Sequence, residues 1–89
     1  MQIREIEITH RLGLHARACV RIVSLASRFR CNVALVCGRR RASAHSIVGV
    51  MLLAGGFGSL IRVETDGPDE SAAMTAMVRL IAHGLSAPA

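Results

Sequence analysis

The chain has no lysine, no tryptophan and no tyrosine, and Phe29 and Phe57 are its only aromatic residues. A core without large rings must be aliphatic, filled by Val, Ile, Leu, Met and Ala. The missing lysine makes all 11 basic side chains other than histidine arginine. That bias reads first as codon usage and says little about function, although guanidinium groups suit phosphate. Three cysteines, Cys19, Cys31 and Cys37, form no C-x-x-C pair. An odd count without that spacing speaks against a disulfide framework and against a zinc site. Cys19 and Cys37 fall at apolar-pattern positions and read as small buried hydrophobes, suited to a reducing cytoplasm. Long apolar runs are missing too. The longest uncharged stretch, Ser46 to Ile61, is too short to span a bilayer and is broken by four glycines. The start of the chain alternates and carries charge, unlike a secretory signal. A soluble cytoplasmic protein with no membrane insertion is expected.

What is present fits one small domain over residues 1–89, expected to be monomeric. Hydrophobic content is 52%, well above that of a disordered tail. A net charge of +5 is compatible with an acidic protein surface, nucleic acid or a phosphorylated ligand, and selects none of them. Arg39-Arg40-Arg41 is the only basic run and reads as a solvated hairpin. Nucleic-acid binding would want a broader patch or stacking aromatics, and the sequence has neither.

The stretch Gly13-Leu14-His15-Ala16-Arg17-Ala18 carries the most information. Apolar residues then recur at helical spacing through Cys19, Ile22, Val23, Ala26 and Phe29, predicting a helix from Ala16 to Phe29. His15 stands one residue before it. A helix start presents unpaired backbone N–H groups and a partial positive charge. A phosphate on His15 would meet the N–H groups of Ala16, Arg17 and Ala18 and the guanidinium of Arg17. Imidazole is a suitable carrier because it is nucleophilic near neutral pH. The bland alternative is a loop histidine that caps a helix.

Elsewhere the pattern predicts strands at Gln2–Ile8, Val33–Cys37, Arg40–Ala44 and Ser59–Thr65. Gly38-Arg39 reads as a hairpin turn. Ser46 is a favoured N-cap and predicts a short helix from Ile47 to Leu53. Asp66-Gly67-Pro68-Asp69-Glu70 predicts the start of a closing helix that runs to His83, with proline in its first turn and two acids facing the dipole. The order β-α-β-β-α-β-α predicts an α+β fold, a two-layer sandwich with helices on one face of the sheet. Val50 and Leu53 supply one face of the short helix. Part of the set Ile47, Val48 and Met51 is therefore expected at the surface as a docking patch beside His15. His10, His45 and His83 lack metal-ligand spacing and read as surface or capping residues. His45, adjacent to Ser46, is the one that could tune it.

Two motifs, Gly13-Leu14-His15-Ala16-Arg17 and Ser46-Ile47-Val48-Gly49-Val50-Met51, resemble those of the HPr family of the phosphoenolpyruvate-dependent phosphotransferase system. The resemblance covers nearly the whole chain. It implies an HPr-like open-faced sandwich, a four-stranded antiparallel sheet in the order 1-4-2-3 under three helices. It implies that His15 is phosphorylated on Nδ1 by enzyme I and passes the group to a IIA protein, with Arg17 stabilising the phosphate. Such a protein is a carrier with a covalent phosphohistidine, not an enzyme, and needs no cofactor or metal. Ser46 matches a regulatory site for HPr kinase/phosphorylase, and Ile47, Val48 and Met51 match the docking surface. One position departs: the family often has proline after the arginine, where this chain has Ala18. Alanine is a good helix former and restores one N–H at the helix start. The change makes room for an alternative reading, a regulatory paralogue of the nitrogen-related branch that acts mainly as a phosphorylation-controlled binding module.

Overall fold

A computed structural model describes residues 1–53 and 55–84. The sheet is built from β1 (Gln2–Glu7), β2 (Asn32–Cys37), β3 (Arg40–Ser43) and β4 (Leu60–Asp66), all antiparallel, in the order β1-β4-β2-β3. Strand alternation sorts the residues between its faces. Ile61 and Val63 of β4 and Val33 and Leu35 of β2 point into the core, with Leu35 opposite Val63. The other face carries a row of charge in which Glu5 pairs with Arg62 and Val36 with Arg41. Helices cover only the apolar face, which leaves the charged one open.

The helices are α1 (Ala16–Ala26), α2 (Ile47–Leu52) and α3 (Glu70–Arg79), and α3 runs on into a π-helical turn at Leu80–Gly84. Ala18, Cys19, Ile22 and Ala26 of α1 are buried, as are Val50 of α2 and Ala73, Met74 and Met77 of α3. The apolar spacing read from the sequence is thus the spacing that faces the sheet.

Three local expectations differ from what is found. α1 stops at Ala26 rather than Phe29. The N–H groups of Arg28 and Phe29 turn to carbonyls three residues back, and the Ser27 hydroxyl donates to Ser24 O at 2.7 Å. Such local bonds compete with the helical ladder. The closing helix begins at Glu70, with Pro68 outside its first turn. Asp69 makes no cap bond; its carboxylate accepts the Arg30 N–H at 2.8 Å and ties the end of α1 to the start of α3. The arginine run is not merely solvated. Arg40 donates to Leu52 O at 2.6 Å, satisfying a carbonyl at the end of α2. Arg41 pairs at 2.7 Å with Glu64, a nearly buried carboxylate that Arg62 holds from its other oxygen.

Candidate functional site

The loop 8–15 is fixed by backbone bonds to the segment that follows α2. Ile8 N–H donates to Ser59 O, Gly58 N–H to Ile8 O and Leu14 N–H to Gly55 O, each at 2.8 Å. Gly13 takes φ +61, a left-handed conformation that favours glycine. The site is therefore assembled from two segments far apart in sequence, the start of α1 and the exit of α2.

His15 occupies the N-cap position of α1 in an extended conformation. Its side chain makes no cap bond, unlike a histidine that merely caps. Its carbonyl accepts the first helical bond, from Cys19 N–H at 3.0 Å. The N–H groups of the first turn have no helical partner. Nε2 is buried and makes no hydrogen bond among the described residues. Ala16 and Arg17 are exposed, and no carboxylate among the described residues pairs with Arg17. Ala18 is fully buried, so its methyl belongs to the core. The Cys19 thiol, four residues on, is no competing nucleophile. Burial pushes it up, and it donates to Leu14 O at 3.6 Å.

Ser46 caps α2. Its hydroxyl oxygen accepts the Gly49 N–H at 3.0 Å, the bond expected of an N-cap serine. The patch on α2 divides as its short length requires. Val50 and Leu53 are buried, whereas Ile47, Val48 and Met51 are exposed, Val48 by 66%. Leu52, Leu12 and Phe57 add further exposed apolar surface. The loop after α2 carries Phe57 to the side of Arg11, where the two line one hollow. His45, next to Ser46 in sequence, has a partner on another segment. Its Nε2 lies 3.3 Å from Cys31 O, a contact that adjacency in sequence does not show.

One feature escapes the sequence altogether. The ring of His10 packs on that of His15, with centroids 4.9 Å apart and planes tilted by 39°. His10 Nδ1 accepts the Leu12 N–H at 3.1 Å. Five positions separate the two histidines, and only the turn at Gly13 folds one onto the other.

The chain matches the family model described as "PTS HPr component phosphorylation site" over residues 3–83. It is 48% identical over 80 residues to the phosphocarrier protein HPr of Cupriavidus necator, covering 90% of each chain. It is 38% identical over 78 residues to the phosphocarrier protein NPr of Shewanella violacea, covering 88% of this chain and 86% of that one. Among solved structures it superposes on HPr-C-His of Thermoanaerobacter tengcongensis with a TM-score of 0.91, at 31% identity over the full length of both. An HPr dimer from the same organism gives 0.72 at 34% identity, over 91% of this chain and 93% of that one. The β1-β4-β2-β3 sheet, the three helices above it and the match along nearly the whole length agree: the chain belongs to the HPr family of phosphocarrier proteins of the bacterial phosphotransferase system.

Proposed function

We propose that His15 accepts a phosphoryl group on Nδ1 from phospho-enzyme I and hands it to a IIA protein. The observation that carries this reading is the imidazole at the start of α1, free of any cap bond and with its Nε2 buried and unbonded, so that Nδ1 is the nitrogen left to react. In the first step the Nδ1 lone pair attacks phosphorus while the bond from phosphorus to its donor atom breaks. In the second the P–Nδ1 bond breaks and its electron pair returns to the ring. Neither step needs a cofactor or a metal. Transfer of this kind depends on positioning and on charge stabilisation. The N–H groups of Ala16 and Arg17 and the Arg17 guanidinium supply both, while buried Ala18 holds the turn in place. The reading makes the protein a cytoplasmic carrier that acts as a monomer and turns over no substrate by itself. Phosphorus NMR of the protein charged by enzyme I and phosphoenolpyruvate tests it. An Nδ1-phosphoimidazole resonance supports the assignment, and an Nε2 resonance contradicts it.

A second reading, with specific support, is a regulatory member of the nitrogen-related branch. The likeness to an NPr and the exposed apolar face of α2 beside Ser46 favour it. Phosphate placed on Ser46 by an HPr kinase/phosphorylase would meet the start of α2 and alter docking through Ile47, Val48 and Met51. His15→Ala that keeps all cellular function would favour this module over the carrier.

A further inference from the structure

Among the described residues His10 makes the one aromatic ring contact at the site, and the carrier step as described leaves it unused. Its chemistry is set by one bond. Because Nδ1 accepts the Leu12 N–H, the neutral ring carries its proton on Nε2. The tautomer is therefore fixed, with a single donor at the far edge of the ring. His10 is half-buried and lines an open hollow with Thr9, Arg11 and Leu12. Among the described residues no carboxylate pairs with it.

The charged groups on this loop and at the start of α1 are basic. Arg11 is on the same loop, and His15 and Arg17 open α1. The terminal turn carries His83 and is tied to the loop by the Thr9 hydroxyl, which donates to Ala82 O at 3.4 Å. The loop after α2 brings no charge here. Glu7, the nearest acid in sequence, alternates to the open face of the sheet, opposite Leu60. The site thus has positive charge from arginine and an N–H donor on a ring packed against that of His15.

We propose that His10 is a positioning residue for the phosphorylated state, its Nε2–H donating to a phosphoryl oxygen carried on His15 Nδ1. The proposal rests on the carrier reading and deepens it. Arg17 answers the charge of the phosphoryl group, and His10 answers its orientation. A donor locked by the Leu12 bond loses no freedom when the phosphoryl group arrives, which is the advantage of a preorganised contact. Buried Nε2 of His15 cannot serve this purpose, and the exposed Arg17 side chain has no bond among the described residues that fixes it.

Two variants separate this role from a structural one. His10→Asn keeps an acceptor two residues before Leu12, in an Asx-turn, and removes the distal donor. His10→Gln keeps a distal N–H and removes the near acceptor. Wild type is mixed with each variant in equal amounts, with catalytic enzyme I and limiting phosphoenolpyruvate. Intact mass then reads how the phosphoryl group distributes at equilibrium. The expected result is roughly tenfold more phosphate on wild type than on His10→Asn, in line with one hydrogen bond to a charged acceptor. His10→Gln should recover part of the loss. Equal occupancy of wild type and His10→Asn would overturn the proposal, as would a loss confined to His10→Gln, which would leave only the Leu12 turn. Absence of phosphate on every chain, wild type included, would overturn the carrier reading and this proposal with it.

Discussion

Gly13 and Gly55 meet backbone to backbone. A Cβ on Gly13 would lie 2.3 Å from Gly55 O, the same oxygen that accepts the Leu14 N–H at 2.8 Å. This contact joins the start of α1, where His15 sits, to the exit of α2.

Gly13→Ala should therefore cost both a left-handed conformation and a clash with rigid backbone, together about 2–4 kcal/mol. For a domain of this size the melting temperature should fall by roughly 10 °C or more. Gly38→Ala is the control. Gly38 also has positive φ, at 62°, but a Cβ there meets nothing within 4 Å. Its cost should stay near 1 kcal/mol. Equal losses in thermal melts of the two variants would show that the Gly55 contact contributes nothing.

Ser46→Ala should destabilise the protein by about 1 kcal/mol, because Gly49 N–H loses its acceptor. Ser46→Asp keeps an acceptor there and should stay within a few tenths of a kcal/mol of wild type. Urea unfolding checks both. A neutral Ser46→Ala would mean that water replaces the cap without loss.

Much of this was legible in advance, for identifiable reasons. Ser46 is a local signal, and its cap involves residues three apart. Helical period put Val50 and Leu53 on one face and part of the set Ile47, Val48 and Met51 at the surface; all three are exposed. What the sequence hid depends on partners far along the chain. Asp69 looked like an acid for the α3 dipole, yet it binds the Arg30 backbone 39 positions away. Arg40 and Arg41 looked solvated because neither Leu52 O nor Glu64 is near them in sequence. His10 was read as a surface or capping residue. Its contact with His15 exists only because the chain reverses at Gly13.

Docking and stability should separate on α2. Val48→Glu and Met51→Glu replace exposed side chains and should change stability by no more than about 0.5 kcal/mol. Phosphoryl transfer from enzyme I, or onward to a IIA protein, should slow roughly tenfold in each, as for the loss of an apolar contact in an interface. Val50→Ala should do the reverse, costing about 2 kcal/mol of stability with a much smaller effect on transfer. Unchanged transfer in both glutamate variants would remove this face of α2 from the docking surface.

Acid sensitivity should trace to Glu64. The hydrogen bond from Arg41, with the charges of Arg41 and Arg62, holds this carboxyl below its usual range, although burial opposes the shift. A depressed value in the folded state stabilises the protein above the ordinary carboxylate range. That contribution is lost as pH falls through the folded value. Stability of the wild type should therefore decline below about pH 5 more steeply than that of Glu64→Gln. Parallel declines in thermal melts across this range would place the acid sensitivity elsewhere.

The central claim is that His15 carries the phosphoryl group, and intact mass tests it most directly. Wild type and His15→Ala are each incubated with enzyme I and phosphoenolpyruvate, then weighed before and after brief acid treatment. One phosphoryl group on wild type, absent from the variant and lost in acid, is the result expected of a phosphohistidine at His15. A phosphoryl group that persists on His15→Ala, or none on wild type while another HPr is charged in the same tube, would contradict the account.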